Sequence, residues 1–289
     1  MSPASCPDPT EVERLVTLIE GWGLSCDVAP HALDRFGYMA GTDEDRLADL
    51  NEAFRDPAVR AVVTTRGGAG AYRIADAVDF AAVRTDPKPV LGFSDISYLH
   101  LALAKYCRLA VIHGCLVGQS AERTARHLLM TTDPITLESD PRAVSAAVAA
   151  SGRVVGRVLG GNLTAVATSI GIRVPDLSGA ILFLEDQRVV GTVDRQLTQL
   201  IASGVLDGVA GVALGSFEGF RDYYARGWTI VEVLLDRLGG LGVPVLGGLS
   251  AGHDVKTPSG EWDQSAVPLG TTATLDVAAG TLTVAPAVN

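Results

Sequence analysis

Short apolar runs alternate with amphipathic stretches along most of the 289 residues. Ala61-Val62-Val63-Thr64, Val90-Leu91-Gly92, Leu109-Ala110-Val111-Ile112, Ile181-Leu182-Phe183-Leu184 and Val243-Pro244-Val245-Leu246 read as buried strands, as do 154–159 and 209–214. Between them lie helical spacings. Val12, Leu15, Val16 and Ile19 form one stripe, in a helix that opens at Asp8-Pro9 with proline in its first turn. Residues 43–54, 71–80, 193–203 and 229–238, a stretch from Asn162, and the segment after Asp95 read as further helices. In the last of these Ile96, Leu99, Leu103 and Tyr106 fall near one face. Strands alternating with helices predict parallel sheets covered on both faces. The end of the chain, 272–276 and 281–284, reads as a hairpin around Ala279-Gly280.

The expected fold class is therefore α/β. Residues 1–132 form an N-terminal Rossmann-like domain with a parallel sheet, and residues 153–289 a smaller C-terminal α/β domain. Residues 133–152 lie between Pro-marked turns and are rich in alanine, so they read as a linker with one helix at most. A cleft between the domains is the expected place for a site.

Composition narrows the function classes. The formal charge of −10 disfavours a nucleic-acid surface and adhesion to anionic membrane. No stretch of about 18 apolar residues is present, so no membrane span is expected. Cys6, Cys26, Cys107 and Cys115 lack C-x-x-C spacing and read as reduced thiols, so no zinc site or disulfide framework is expected. The polar, Pro-rich start shows no leader pattern, and a cytoplasmic location is expected.

Candidate chemistry gathers at three places. Gly92-Phe93-Ser94-Asp95 sits where a strand turns into a helix, so Ser94 reads either as a nucleophile on a sharp elbow or as a helix N-cap. Glu185 and Asp186 end an apolar strand. His253 lies in the glycine-rich loop Gly247-Gly248-Leu249-Ser250-Ala251-Gly252. A serine nucleophile needs a general base, and the base needs a group that fixes its tautomer. Ser94, His253 and Glu185 supply all three roles, with His113 an alternative base. Glu185, Asp186 and His253 also permit a metal reading, but no element carries a close histidine pair. Cys115 beside His113 permits a Cys-His reading. Arg66-Gly67-Gly68-Ala69-Gly70 resembles a phosphate loop, yet Arg73 stands where a third glycine belongs and no G-K-[ST] follows.

The chain resembles the LD-carboxypeptidase family of serine peptidases. The likeness rests on Thr65-Arg66-Gly67-Gly68-Ala69-Gly70-Ala71, Gly92-Phe93-Ser94-Asp95, His113-Gly114, Gly160-Gly161-Asn162-Leu163, Phe183-Leu184-Glu185-Asp186, Asp194-Arg195-Gln196-Leu197, Gly252-His253 and Val267-Pro268-Leu269-Gly270, in order along nearly the whole chain. The resemblance implies a catalytic triad of Ser94, Glu185 and His253, with an oxyanion hole from the Gly68 and Asp95 amides and no cofactor or metal. It makes His113 a wall of the site. It implies a peptide-like substrate with a free carboxylate, for which Arg66 and Arg195 are candidate partners, cleaved between an L and a D centre. Muropeptide tetrapeptides in cytoplasmic wall recycling are the leading substrate. A self-immunity hydrolase acting on a peptidyl or aminoacyl antibiotic is the alternative, and a non-catalytic binding protein a second.

A homodimer is also implied. The sequence departs from the family at Cys115-Leu116, where Pro-Met is common, and at Gln187-Arg188-Val189, where many cell-wall enzymes carry Val-Gly-Glu. The usual first strand has no counterpart before Ser2-Pro3, and the segment before Pro9 is expected to be swapped or held against a neighbouring strand.

Overall fold

The computed structural model describes residues 1–218 and 227–288. The first half builds α1 (Pro9–Gly21), α2 (Asp43–Arg55), β1 (Val62–Val63), α3 (Ala71–Ile74), α4 (Phe80–Thr85), β2 (Val90–Gly92), α5 (Ser97–Cys107), β3 (Val111–His113) and α6 (Gln119–Met130). The rest adds β4 (Ile135–Glu138), β5 (Ala149–Ala150), β6 (Arg153–Asn162), α7 (Leu163–Thr168), β7 (Ile181–Glu185), α8 (Val190–Ala202), β8 (Gly211–Leu214), α9 (Ile230–Gly239), β9 (Val245–Leu246), β10 (Val267–Leu269), β11 (Thr272–Asp276) and β12 (Thr281–Val284).

Two sheets result. The first runs β1-β2-β3-β10, with β1, β2 and β3 parallel and β10 antiparallel to β3. The second runs β4-β12-β11-β6-β7-β8-β9-β5. Its centre, β6 to β9, is parallel, and the hairpin of β11 and β12 extends it antiparallel. The α/β class with parallel strands is as expected. β7 is buried at every position because helices and neighbouring strands cover both faces, which is why it reads as an unbroken apolar run. No helix among the described residues is long and apolar enough to cross a membrane.

Three details differ from the sequence reading. The stretch 133–152 is no linker: it supplies β4 to one edge of the second sheet and β5 to the other. Its strands are hard to see because edge strands need little apolar surface, and only Leu137 of β4 is buried. β10 comes from the C-terminal part of the chain yet pairs in the first sheet, so the two halves interlock. The helix expected over 71–80 breaks at a 3-10 turn, Ala75–Ala77, because Asp79 caps a new helix by accepting from the Ala82 amide at 3.0 Å.

The start of the chain is held, as expected, along a strand. The Met1 amino group donates to the Val63 carbonyl at 3.1 Å, and the Thr65 amide donates to the Met1 carbonyl at 2.9 Å.

One buried cation secures the end of α2. Lys88 has no exposed surface, and its ammonium donates to the carbonyls of Ala53 (2.9 Å), Phe54 (3.0 Å) and Asp56. The Asp86 carboxylate lies 3.4 Å away. A helix end leaves its last carbonyls without intrahelical partners, and a lysine can satisfy them. Lys88→Met should therefore lower the unfolding free energy by about 3 kcal/mol, measured by urea denaturation. A loss below about 0.5 kcal/mol, the usual range for a surface change, would show that the cap is dispensable.

Candidate active site

β2 delivers the serine. A Cβ on Gly92 would lie 2.3 Å from the Ile96 side chain and 2.9 Å from the Thr64 hydroxyl, so only glycine fits the tight exit. Ser94 itself adopts φ 63°, a left-handed conformation that L residues with a Cβ seldom hold. The bend turns its hydroxyl out of the sheet. Ser94 opens a 3-10 turn and makes no capping bond, so the N-cap reading fails.

The loop after β1 packs directly on this elbow. A Cβ on Gly67 would meet the Ser94 Cβ and the Phe93 carbonyl, both at 2.7 Å. The Asp95 carboxylate accepts from the Ala71 amide at 2.7 Å and so ties the elbow to the start of α3. Burial pushes the Asp95 carboxyl up to about 6, against the pull of the amides of Ala71 and Gly70 and of Arg46.

The second sheet supplies the partners. Glu185 closes β7 with no exposed surface. Its Oε2 accepts from the His253 backbone amide at 3.0 Å and lies 2.7 Å from His253 Nδ1. Its Oε1 accepts from the Asn162 side-chain amide at 3.1 Å. Asn162 ends β6, and its Oδ1 accepts from the Ala165 amide at the start of α7. His253 Nε2 stands 3.0 Å from Ser94 Oγ. With Glu185 accepting from Nδ1–H, Nε2 is left to accept from the serine hydroxyl. Burial alone would raise the Glu185 carboxyl; the neighbouring His253 and His113 outweigh it and hold the group well below the ordinary carboxylate range. Burial likewise opposes charge on His253, but the Glu185 carboxylate prevails and raises the imidazole above its ordinary value.

These residues open on a cavity of about 170 Å³. Ser94, His253, Gly68 and Asp95 line it together, with Tyr72 and Tyr98 also on its wall. Gly68 takes φ +104°, and a Cβ there would lie 2.3 Å from the Ser5 hydroxyl, so its bare backbone is required. Asp186, Gln187 and Arg188 contribute from the segment after β7.

Other expected contributors lie elsewhere. His113 is fully buried behind Glu185, its Nε2 3.6 Å from Oε1, and is not a wall of the cavity. Its strand, β3, is central in the first sheet, which carries the ring inward. Arg66 is exposed and does not line the cavity. Arg195 points off α8 towards the Thr192 hydroxyl at 3.4 Å, while Asp194 pairs with Arg237 at 2.8 Å. Burial raises the Cys115 thiol, the wrong direction for a thiolate nucleophile. Asp186 turns its carboxylate onto Thr164 and the Gln187 amide, which leaves it unavailable beside Glu185 and His253 for a shared ion. Asn162 and Arg188 were missed as site residues. Asn162 was visible as a helix start and within the Gly160-Gly161-Asn162-Leu163 stretch of the resemblance, with no role attached, and nothing in the pattern of Gln187-Arg188-Val189 marked a cavity wall.

The LD-carboxypeptidase N-terminal domain matches residues 1–114, and the LD-carboxypeptidase C-terminal domain matches residues 155–275. A Streptomyces coelicolor relative that carries the name of a carboxypeptidase is 41% identical, covering 95% of this chain and 89% of that protein. The murein tetrapeptide carboxypeptidase of Pseudomonas aeruginosa is 31% identical over 92% of this chain and 91% of its own. The solved muramoyltetrapeptide carboxypeptidase of Oxalobacter formigenes superposes with a TM-score of 0.84 at 26% identity, covering 99% of this chain and 98% of that one. With both domains matched in order and relatives this similar along nearly its whole length, the chain belongs to the LD-carboxypeptidase family.

Proposed function

We propose that this protein is a serine carboxypeptidase that hydrolyses the amide bond ahead of the C-terminal residue of a murein-type tetrapeptide. The observation that carries the reading is the relay of Ser94 Oγ, His253 Nε2 and Glu185 Oε2, at 3.0 and 2.7 Å, opening on one small cavity. Pockets that enclose a whole small ligand typically measure about 300–1,000 Å³. The smaller volume here suits the end of a chain, with the rest of the peptide outside.

The chemistry follows from the geometry. Ser94 attacks the amide carbonyl while its proton passes to His253 Nε2. Glu185 holds the Nδ1–H tautomer and stabilises the imidazolium that forms. Gly68 and Asp95 both line this cavity, and no hydrogen bond to another described residue occupies either backbone amide, which supports their use as the oxyanion donors. Such a donor is worth about 3–4 kcal/mol in the transition state. His253 then gives its proton to the leaving amine, and the acyl group stays on Ser94. Water, activated by the same imidazole, releases the acid. The murein tetrapeptide carboxypeptidase among the relatives supports this substrate class.

Ser94→Ala and His253→Ala should each lower kcat by about 10⁴- to 10⁶-fold, read as D-Ala release from a tetrapeptide, with unchanged melting temperature. Glu185→Gln should cost less, since the imidazole keeps part of its orientation. The assay should include an aminoacyl antibiotic amide, the substrate of the alternative self-immunity reading; faster turnover of that amide would reverse the assignment. If His113→Ala is more damaging than His253→Ala at equal stability, the base is misassigned.

His253 accepts a proton only when neutral, so kcat/KM should fall as pH drops through a value above the ordinary 6.5. Glu185→Gln removes the charge that raises the imidazole, and the acid limb should move to lower pH. An unmoved limb would show that another group titrates.

Gly252 leaves room for the relay. It takes φ +116°, and an added Cβ would lie 2.7 Å from the Glu185 Cβ. Gly252→Ala should reduce kcat by at least about 100-fold, the scale of a 1 Å misplacement in a catalytic site. Near-normal turnover of that variant would mean that the loop can shift without cost.

A further inference from the structure

Four charged side chains line the cavity: Asp95, Asp186, Arg188 and His253. Three are engaged within the protein. His253 is held between Glu185 and Ser94. Asp95 is turned to the Ala71 amide. Asp186 accepts from the Thr164 amide at 2.9 Å, the Thr164 hydroxyl at 2.8 Å and the Gln187 amide at 2.7 Å. Arg188 alone is exposed and forms no ion pair with a described residue. Its charge is felt by the Tyr98 phenol, another group on the wall.

The backbone around Arg188 is anchored on both sides. The Gln187 amide donates to Asp186 Oδ1 as the chain leaves β7, just before it bends at Arg188. The Thr164 amide and hydroxyl both donate to Asp186 Oδ2 and tie that residue to the start of α7. Two residues beyond Arg188, α8 begins at Val190. Arg188 is therefore carried on a short bridge between two fixed points, at the wall of the cavity that holds Ser94. Without a cation here, the carboxylates of Asp95 and Asp186 would repel an anionic chain end. Arg66 and Arg195, the cations that the sequence suggested, do not line the cavity.

We propose that Arg188 anchors the free carboxylate of the substrate and so selects a chain end over an internal amide. The proposal rests on the carboxypeptidase reading above and adds the group that makes the enzyme an exopeptidase. A guanidinium presents two parallel N–H donors to a carboxylate, which fixes direction as well as charge.

The test is a binding measurement, so it does not depend on turnover. In a Ser94→Ala background, titration calorimetry compares a tetrapeptide ending in D-Ala with the same peptide as its C-terminal amide. The acid should bind about 10- to 100-fold more tightly than the amide, the range of a charge-assisted contact. Adding Arg188→Gln should abolish that difference and leave the affinity for the amide unchanged. Arg188→Lys should keep part of it, because a lysine offers the charge without the planar fork. Equal binding of acid and amide by the Ser94→Ala protein, binding of neither, or an acid preference that survives Arg188→Gln would overturn the anchor. A wild-type protein that binds the acid selectively but releases no D-Ala would instead overturn the hydrolase reading and leave the anchor standing.

Discussion

Glu185 is a carboxylate without exposed surface, and an ionised group in that position must be answered by donors or it destabilises the fold. The structure answers it from three directions. The His253 amide and imidazole take Oε2, and the Asn162 amide takes Oε1. The three donors come from two segments: the end of β6 and the loop after β9 converge on the end of β7. Space for this convergence comes from missing side chains. A Cβ on Gly215 would lie 2.3 Å from the Ala251 carbonyl and 3.2 Å from the Glu185 Cβ. The central parallel strands thus fix the acid first, and the acid then fixes the imidazole.

The serine arrives from the other sheet, so its distance to His253 depends on how the two sheets are joined. β10 enters the first sheet beside β3, and the Gly270 amide that follows it donates to the Val158 carbonyl of β6 at 2.6 Å. The Ser97 hydroxyl, in the first turn of α5, accepts from the Asn162 amide at 3.1 Å. These contacts bring the end of β2 against the ends of β6 and β7. Backbone strain at Ser94, with φ 63°, is sustained by the packing of Gly67 beneath it and the bond from Ala71 to Asp95.

Much of the fold was legible because its central elements carry strong local signals. The run Ile181–Glu185 has the apolar continuity of a strand covered on both faces, and α1 and α2 begin at capping residues, Asp8 and Thr42, that accept from their first turns. β4 and β5 carried no such signal. One is a half-polar edge and the other two alanines, and both form because a neighbouring strand already offers unpaired backbone. The interruption at Asp79 was hidden because the apolar spacing of 71–80 runs straight through it, and only the competing cap stops the helix.

The sequence by itself determined the α/β class, the strand-to-helix turn that carries Ser94, the strand that ends in Glu185 and the glycine-rich loop around His253, since each depends on residues adjacent in the chain. Only the tertiary structure decided which of the candidate groups face one another. His113 and His253 read alike as loop or strand-end histidines, and burial put one behind Glu185 and the other in front of it. Arg66 and Arg195 were the cations that the sequence offered and Arg188 carried no mark, yet of the three only Arg188 lines the cavity. The reason is physical: local pattern sets the element a side chain sits on, whereas the direction it faces and the dielectric around it are set by segments as much as 159 residues away, the separation that joins Ser94 to His253.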